Sequence, residues 1–255
     1  MSEHLREELH GPVAVITVDK PPVNAYDRGV RDGIVAALDR FEADPEVRAI
    51  VLTATGKVFS GGQDMAEPEV QAAGGIPYSV LLSFDRLCDR LTHVAKPTIC
   101  AVNGSAIGGG LEVVLSCDLR ISAASAKFGA AGAKMGLIAS SQRLVRVVGE
   151  PQAKLLAFTA RRLDAARALE IGLVHEVVAD DALLEHALAL GHEIAGNAPL
   201  SVARAKAAIN RASEVPLAEG LRLQREYFLE LSQTDDHREA VRAFREKRPP
   251  EFRNR

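Results

Sequence analysis

The sequence contains no tryptophan, few aromatic residues and only three cysteines in 255 positions. Cys88, Cys100 and Cys117 are odd in number, form no C-x-x-C pair and lie in apolar surroundings, which predicts buried, reduced thiols and not disulfides or zinc ligands. A basic excess is also missing, since 31 Lys and Arg face 34 Asp and Glu for a net charge of −3. A nucleic-acid binder needs cations to neutralise phosphates, so the composition argues against that class.

Long hydrophobic runs are absent as well. Met1–His10 is charged and has no apolar centre, which argues against a signal peptide, and runs such as Ala49–Leu52 are too short to span a bilayer. We therefore expect a soluble, cytoplasmic protein that has no membrane partner. Its hydrophobic fraction of 47% is enough for one large domain, or for a domain with an appendage.

Apolar periodicity predicts an α/β core followed by a helical region. Strands and helices alternate in the first half, with strands expected at 13–18, 47–53, 98–102 and 119–123 and helices at 28–43 and around 84–91. Between them, Glu67–Tyr78 has no clear period and contains glycine and proline, which predicts a mobile loop. From Pro151 onward the pattern is mostly helical, with segments at 152–159, 165–171, 183–195, 199–212 and 217–232. We assign a core to 1–195 and a C-terminal helical region to 196–255, whose amphipathic helices pack either on a sister subunit or on the chain's own core.

The most informative segment is the glycine-rich turn within Asn103–Glu112. It follows an apolar strand pattern and opens an apolar helix pattern, so Gly108–Gly110 lets another molecule approach the main chain while the helix start presents free N–H groups. Glu112 falls in the first helical turn, where the helix dipole favours it with or without catalysis. Close packing alone also explains such glycines. The segment matches neither the G-x-x-x-x-G-K-[ST] phosphate loop nor the three-glycine dinucleotide fingerprint.

A second glycine turn, Gly61-Gly62-Gln63-Asp64, follows a similar strand pattern. If the two strands are neighbours in one sheet, both turns emerge at the same edge, where ligands of α/β sheets bind. Two main-chain N–H groups could then converge on one oxygen and stabilise an enolate or a tetrahedral oxyanion, by roughly 3–4 kcal/mol for one good donor. Asp64 is predicted to cap the local main chain.

These segments resemble known family motifs. Lys57–Met65 resembles the F-[SA]-A-G-A-D-[LI] box of the enoyl-CoA hydratase/isomerase (crotonase) superfamily, and Lys96–Asp118 resembles its second box. Pro22–Ala25 is similar to the family's P-x-x-N-A signature, and Gly172–Val174 and Phe244–Phe252 are similar to its later landmarks. The resemblance covers nearly the whole chain, with the landmarks in the family order.

The resemblance implies a spiral of β-β-α units with a C-terminal helical region, assembled as a homotrimer or a dimer of trimers. It implies an acyl-CoA thioester as substrate, with no metal and no cofactor beyond the coenzyme A that the substrate carries. The N–H groups of Gln63 and Gly109 would form the oxyanion hole, and Glu112 would be a catalytic acid/base. Residues implied to bind the thioester and CoA are Val23, Ala25, Gly61, Asp64, Met65, Gly108, Gly132 and Phe252. Lys247 and Arg248 resemble tail residues that meet CoA, although a solvated charge run explains them equally well.

One departure from the family pattern concerns the reaction itself. Gly132 stands where family hydratases carry a second glutamate, and glycine can neither hold a water nor pass its proton. The loop before Gln142-Arg143-Leu144 is also shorter than the family's loop. Hydratase-like chemistry is the leading hypothesis. The alternatives are isomerisation, decarboxylation or thioester hydrolysis in the same site, or a catalytically idle acyl-CoA-binding protein. We expect Gly132→Glu to raise hydration if the shortened loop leaves room.

Overall fold

The computed structural model describes residues 3–255, which form two sheets and a set of helices. The larger sheet has the order β1-β2-β3-β5-β7-β10, and only its edge pair β1–β2 is antiparallel. Its strands are β1 (Leu5–His10), β2 (Val13–Val18), β3 (Ala49–Ala54), β5 (Thr98–Val102), β7 (Leu119–Ala123) and β10 (Glu176–Val178). The smaller sheet has the order β4-β6-β8-β9, in which only β8–β9 is antiparallel. Its strands are β4 (Val58–Ser60), β6 (Ser105–Ile107), β8 (Lys127–Gly129) and β9 (Arg162–Asp164).

Helices follow the strand pairs and then dominate the end of the chain. They are α1 (Arg28–Ala43), α2 (Pro68–Ala73), α3 (Tyr78–His93), α4 (Gly109–Ser116), α5 (Ser141–Thr159), α6 (Ala165–Glu170), α7 (Leu183–Ala195), α8 (Pro199–Arg211), α9 (Leu217–Leu231) and α10 (Asp235–Glu246). Within the described residues, none of these helices is both long enough and apolar enough to cross a membrane.

The predicted spiral of β-β-α units is confirmed. The first unit, β1-β2-α1, has both strands in the larger sheet. In β3-β4-α2, β5-β6-α4 and β7-β8-α5 a strand of the larger sheet is followed by a short strand of the smaller sheet and then by a helix. Every residue of β3 and β5 is buried, because parallel strands inside such a sheet are covered on both faces. The glycine turns that follow β4 and β6 therefore start from adjacent strands of one small sheet.

The segment Glu67–Tyr78, predicted to be a mobile loop, is instead largely helical. Pro68 occupies the first turn of α2, where its missing N–H is not needed, and Val70 is buried beneath it. Gly74 ends the helix in the left-handed conformation, with φ of 64°. Helix α2 has six residues, too few to show a helical period in the sequence, so only its tertiary contact reveals it.

Several other elements also differ from expectation. Strand β1 is not predicted, because Leu5–His10 contains three consecutive charged residues and shows no alternation of apolar and polar side chains on this exposed edge strand. Helix α5 begins at Ser141 and continues past a break at Gly149, where φ is 73°, into the predicted segment. The last helix, α10, was not predicted either.

The C-terminal region is anchored on the core of its own chain. Lys206 of α8 is buried and places its Nζ 2.7 Å from the Asp118 carboxylate. Asp118 also accepts hydrogen bonds from the main-chain N–H of Thr98 and from its hydroxyl, so its role is structural. Asn210 donates to the carbonyl of Thr92 at 2.8 Å. Helix α8 thus packs beside the end of α3, next to the candidate site.

Candidate active site

The first glycine turn is fixed by an isolated β-bridge. Tyr26 N donates to the carbonyl of Gly62 at 2.8 Å, and Asp64 N donates to the carbonyl of Tyr26 at 3.3 Å. These two bonds pair Tyr26 with Gln63 in a parallel bridge. They flank Gln63 on both sides and leave its own N–H outside the bridge.

The second glycine turn delivers another free donor. Gly108 N donates to the carbonyl of Gly129 at 2.9 Å, and φ of 55° at Gly108 turns the chain into α4. Gly109 is the first residue of α4, so its N–H has no acceptor within the helix.

The two turns touch, and only glycine permits the contact. A Cβ added to Gly62 would lie 2.7 Å from Gly109 N, and a Cβ on Gly109 would lie 3.2 Å from Gln63 N. On Gly110 it would lie 2.3 Å from the carbonyl oxygen of Ser60. The prediction that both turns meet at one edge is confirmed. Two N–H groups from different turns, one of them at a helix start, can together stabilise a negatively charged oxygen.

Glu112 presents a partly exposed carboxylate in the first turn of α4. Its side chain is 21% exposed, and its Oε1 accepts a hydrogen bond from Arg143 Nε at 3.1 Å. Arg143 also binds the Asp89 carboxylate at 3.0 Å and the Thr92 hydroxyl at 3.3 Å. Among residues 3–255 no donor bonds to the second carboxylate oxygen. That oxygen can therefore receive a proton from a ligand while Arg143 holds the first.

The sequence alone assigns no role to Arg143, although this residue lies in the family-like motif Gln142-Arg143-Leu144. The spacing from Glu112 to α5 carries no local periodicity, so only the packing of α5 against α4 reveals the pair. The signal available in the sequence is that Arg143 is a cation within a motif that resembles the family's, in a segment with few other candidate acid/base groups.

The loop that contains Gly132 fills the space that the side chain of a second catalytic glutamate would need. Gly132 is buried, begins a short 3-10 turn, and its carbonyl accepts a hydrogen bond from Leu137 N at 2.9 Å. A Cβ on Gly132 would lie 2.8 Å from the carbonyl oxygen of Leu137 and 3.0 Å from Ala139 N. The shortened loop therefore leaves no room for a glutamate, and the condition for a gain of hydration by Gly132→Glu is not met.

Asp64 belongs to an ion cluster at the edge of the first turn. Its Oδ1 accepts from Ala66 N at 2.8 Å, which confirms the predicted local cap, and its Oδ2 accepts from Lys20 Nζ at 2.5 Å. Lys20 also binds Asp27, the N-cap of α1, at 2.6 Å. Burial alone would raise the pKa of the Asp64 carboxyl, but the hydrogen bonds from Lys20 and Ala66 N, together with the charge of Lys20, outweigh it and lower that pKa below its usual value.

Most of the predicted lining residues cluster at the first turn. Gly61 N donates to the carbonyl of Val23 at 2.8 Å, while Val23 and Met65 are each 43% exposed. Ala25 is half-buried. Gly108 lies at the second turn, where a Cβ would be 4.0 Å from the Ala131 Cβ.

The tail residues lie elsewhere within the chain. The carbonyl of Phe252 accepts from Arg48 at 2.6 Å, just before the start of β3, whereas the glycine turn follows β4. The Arg248 guanidinium is bonded to Glu239 and Glu246. A contact of Phe252, Lys247 or Arg248 with a ligand in this chain's own site is therefore not seen, and their role stays a prediction.

The three thiols offer no nucleophile. Cys88, Cys100 and Cys117 are free and buried, as predicted. Burial raises the pKa of Cys88 to about 12 and that of Cys100 well above its usual value, so both stay protonated. Within 3–255, no group of three or more His, Cys, Asp or Glu side chains is arranged to hold a metal ion.

Comparisons with known proteins agree with this fold. A family model described as enoyl-CoA hydratase/isomerase matches residues 8–255. A probable enoyl-CoA hydratase of Rhizobium meliloti is 40% identical over 259 residues, which cover 99% of each chain. A short-chain-enoyl-CoA hydratase of Clostridium acetobutylicum is 38% identical over 255 residues, 97% of each chain. The crystal structure of an enoyl-CoA hydratase from Bacillus anthracis superposes with a TM-score of 0.93 at 30% identity, covering 99% of this chain and 100% of the other.

Proposed function

Because the chain belongs to the enoyl-CoA hydratase/isomerase family, we propose that it acts on acyl-CoA thioesters through a thioester enolate, with hydration of a 2-enoyl-CoA as its leading reaction. The observation that carries the proposal is the contact between the two glycine turns, which brings two unused main-chain donors, on Gln63 and Gly109, side by side. The names of these relatives favour hydration over other reactions of the family.

The two donors act on the thioester oxygen. Addition of a nucleophile to the β-carbon of a conjugated thioester moves an electron pair onto that oxygen, and the N–H groups of Gln63 and Gly109 stabilise the resulting enolate. Because the charge is larger in the transition state than in the bound substrate, these bonds accelerate the reaction more than they tighten binding.

Glu112 supplies the acid/base function alone. Its free carboxylate oxygen accepts a proton from water as the oxygen of that water bonds to the β-carbon. The same carboxyl group then returns the proton to the α-carbon as the enolate collapses, so one carboxylate balances the overall addition of water. Arg143 fixes the other oxygen and keeps the carboxylate pointed at the substrate.

A single carboxylate is also compatible with a rival reaction. Moving a double bond needs one group that removes a proton from one carbon and returns it to another, and Glu112 can do both. The closed loop at Gly132 favours this rival, because no second carboxylate holds a water. A catalytically idle acyl-CoA-binding protein is the alternative of a different class. The partly exposed Glu112 carboxylate argues against it.

Turnover of a panel of 2-enoyl-CoA and 3-enoyl-CoA thioesters by wild type and Glu112→Gln tests the proposal. We expect hydration by wild type, and a kcat about 10²–10⁴-fold lower in Glu112→Gln with little change in KM, since the amide keeps the shape but cannot exchange the proton. Double-bond migration without hydration would show that the protein is an isomerase and not a hydratase. Tight acyl-CoA binding with no turnover would support the alternative of a catalytically idle acyl-CoA-binding protein.

We also propose that the active protein is a homotrimer or a dimer of trimers, with coenzyme A entering only as part of the substrate. The assembly follows from the family resemblance. A trimer would also give Phe252, Lys247 and Arg248 a site to contact in a neighbouring subunit.

A further inference from the structure

Behind the first glycine turn lies a buried ion pair that the proposed chemistry does not use directly. Arg31 of α1 is 1% exposed and Glu67, just before α2, is 5% exposed. The pair is bidentate, with both NH1···Oε2 and NH2···Oε1 at 3.0 Å. Taking two charges out of water is expensive, and apolar residues of similar volume often serve the fold equally well. The pair therefore calls for a role beyond stability.

The side chain of Gln63 is inserted into this pair. Its Oε1 accepts from Arg31 NH1 at 2.9 Å, and its Nε2 donates to Glu67 Oε2 at 2.7 Å. The amide thus completes a closed ring of three side chains. Gln63 carries its polar group into the protein interior, while its main-chain N–H stays at the turn.

Arg31 also holds the main chain that pairs with Gln63. Its NH1 donates to the carbonyl of Tyr26 at 2.8 Å. The same carbonyl accepts from Asp64 N in the β-bridge that flanks Gln63. One guanidinium therefore fixes the side chain of Gln63 and the strand that its peptide group lies against.

The guanidinium is also linked to the second donor, but only through helix α3. Arg31 Nε donates to the Ser83 hydroxyl of α3 at 3.0 Å. The next residue, Phe84, is 8% exposed, and its Cζ lies 2.7 Å from the position that a Cβ on Gly109 would take. Helix α3 is thus held where Phe84 packs behind Gly109.

We propose that Arg31 and Glu67 are positioning residues that hold the Gln63 N–H, and through Ser83 and Phe84 the Gly109 turn, in the geometry of an oxyanion hole. The inference rests on the proposed function, since it assigns these residues to that site. A main-chain donor stabilises a forming oxyanion only when it is already aimed at the oxygen, and small displacements of such groups have large kinetic effects. Neither residue touches the substrate in this role.

The test removes the pair without leaving one buried charge alone. In Arg31→Met/Glu67→Leu both charges are replaced by apolar side chains, a change that buried pairs often tolerate. We expect kcat on the best substrate of the panel to fall about 10–100-fold while KM changes less than about threefold, because the lost interaction is made mainly in the transition state. Arg31→Lys, which keeps one charge but loses the fork geometry, should lie between wild type and the double variant.

A second ion pair between the same two helices provides the matched control. Arg28 of α1 and Glu69 of α2 are 2.9 Å apart, with side chains 65% and 41% exposed. Arg28→Met/Glu69→Leu likewise removes one cation and one carboxylate that join α1 to α2, but neither residue is hydrogen-bonded to Gln63. Its kcat should stay within about twofold of wild type, since exposed pairs contribute little.

A spectroscopic readout separates positioning from general damage. Hydrogen bonds to the carbonyl of a conjugated thioester polarise it and shift its absorption to longer wavelength. We expect an enoyl-CoA bound to Glu112→Gln to show this shift, and the shift to shrink when Arg31→Met/Glu67→Leu is added but not when the Arg28 and Glu69 changes are added. If the double variant does not fold by circular dichroism, Gln63→Ala takes its place, because it breaks the link to the pair and keeps the main-chain donor.

The outcomes distinguish the two ideas. A wild type that turns over substrate, combined with unchanged kcat and unchanged shift in both the double variant and Gln63→Ala, overturns the positioning role and leaves the function standing. A wild type with neither turnover nor a shifted spectrum overturns the proposed function, and this inference with it. A reduced kcat, a reduced shift and an unaffected Arg28/Glu69 control support the inference.

Discussion

The carboxylate of Glu112 has one oxygen bonded to Arg143, while the other accepts no hydrogen bond from the residues that the structure describes. A general acid/base must be held within hydrogen-bonding reach of the proton that it moves. Arg143 is itself fixed by Asp89 and Thr92, so the carboxylate rests on a short chain of side chains from α3 and α5.

We expect Arg143→Gln to lower kcat about tenfold with a smaller effect on KM, because Glu112 loses the hydrogen bond that fixes its orientation. Steady-state kinetics on the best enoyl-CoA of the panel measures it. Arg146→Gln is the control, since Arg146 lies on the same helix, is 53% exposed and approaches only Glu214. Equal kcat in wild type and Arg143→Gln would remove Arg143 from the site.

Gly132→Ala tests the closed loop. Its added Cβ would meet the main chain of Leu137 and Ala139 within about 3 Å, so the loop must shift. We expect the free energy of unfolding in urea to drop by about 1–3 kcal/mol. Gly75→Ala, at an exposed glycine with open space around its Cβ, should change stability by less than about 0.5 kcal/mol. A fully stable Gly132→Ala would show that the loop opens easily.

At the level of elements, the first turn is tied to the start of α1 by charge. Lys20 bridges Asp64 at the turn and Asp27 at the helix N-cap. The pKa values of both carboxyls lie below their usual values, because the hydrogen bonds from Lys20 and from main-chain N–H groups, together with the charge of Lys20, outweigh the effect of burial. Charge on these groups is therefore favoured more in the folded state than in the unfolded chain.

This linkage predicts a pH dependence. The lowered pKa of Asp64 adds stability that is complete above its unfolded pKa of about 4 and is lost as pH falls through the folded value. Asp64→Asn should therefore be less stable than wild type by about 1–2 kcal/mol at pH 7 and pH 5, and the gap should narrow below pH 4. Urea unfolding at these pH values measures it, with Asp32→Asn on the exposed face of α1 as control. A gap that is constant down to pH 3 would contradict the linkage.

At the scale of the whole molecule, large apolar side chains are exposed on the C-terminal helices. Ile209, Leu217, Phe228 and Phe244 are between 71% and 86% exposed. Apolar surface of this kind is typical of an interface. It fits the assembly that we propose for the 196–255 region, which also packs on its own core through Lys206.

Sedimentation equilibrium should give three or six times the 27.3 kDa chain mass. Phe228→Asp/Leu229→Asp, at side chains 71% and 64% exposed, should shift the protein toward single chains, because carboxylates are not tolerated in an apolar interface. Leu9→Asp, at a residue 59% exposed on the edge strand β1, should remain assembled. A wild type with the mass of one chain would overturn the trimer.

Much of the fold could be predicted because its signals are local. Helix α1 has the predicted bounds, since Val30, Ile34 and Leu38 recur at helical spacing and all are buried. The strands β2 and β5 likewise follow apolar, β-branched runs. The short strands β4, β6, β8 and β9 have only three residues each, too few for a period, and the helix α2 is stabilised by tertiary contact.

By itself, the sequence determined the two glycine turns with Gln63, Gly109 and Glu112, because glycine strings and apolar periods are short-range patterns. Its motifs also carry the resemblance to the family, which implies the spiral fold. Only the tertiary structure decided that Arg143 holds Glu112, that Arg31 and Glu67 enclose the side chain of Gln63, and that the Gly132 loop is closed. These contacts join residues distant in the chain. Charged side chains leave no periodic signature, so their partners are fixed by packing and by the need to pair a buried charge.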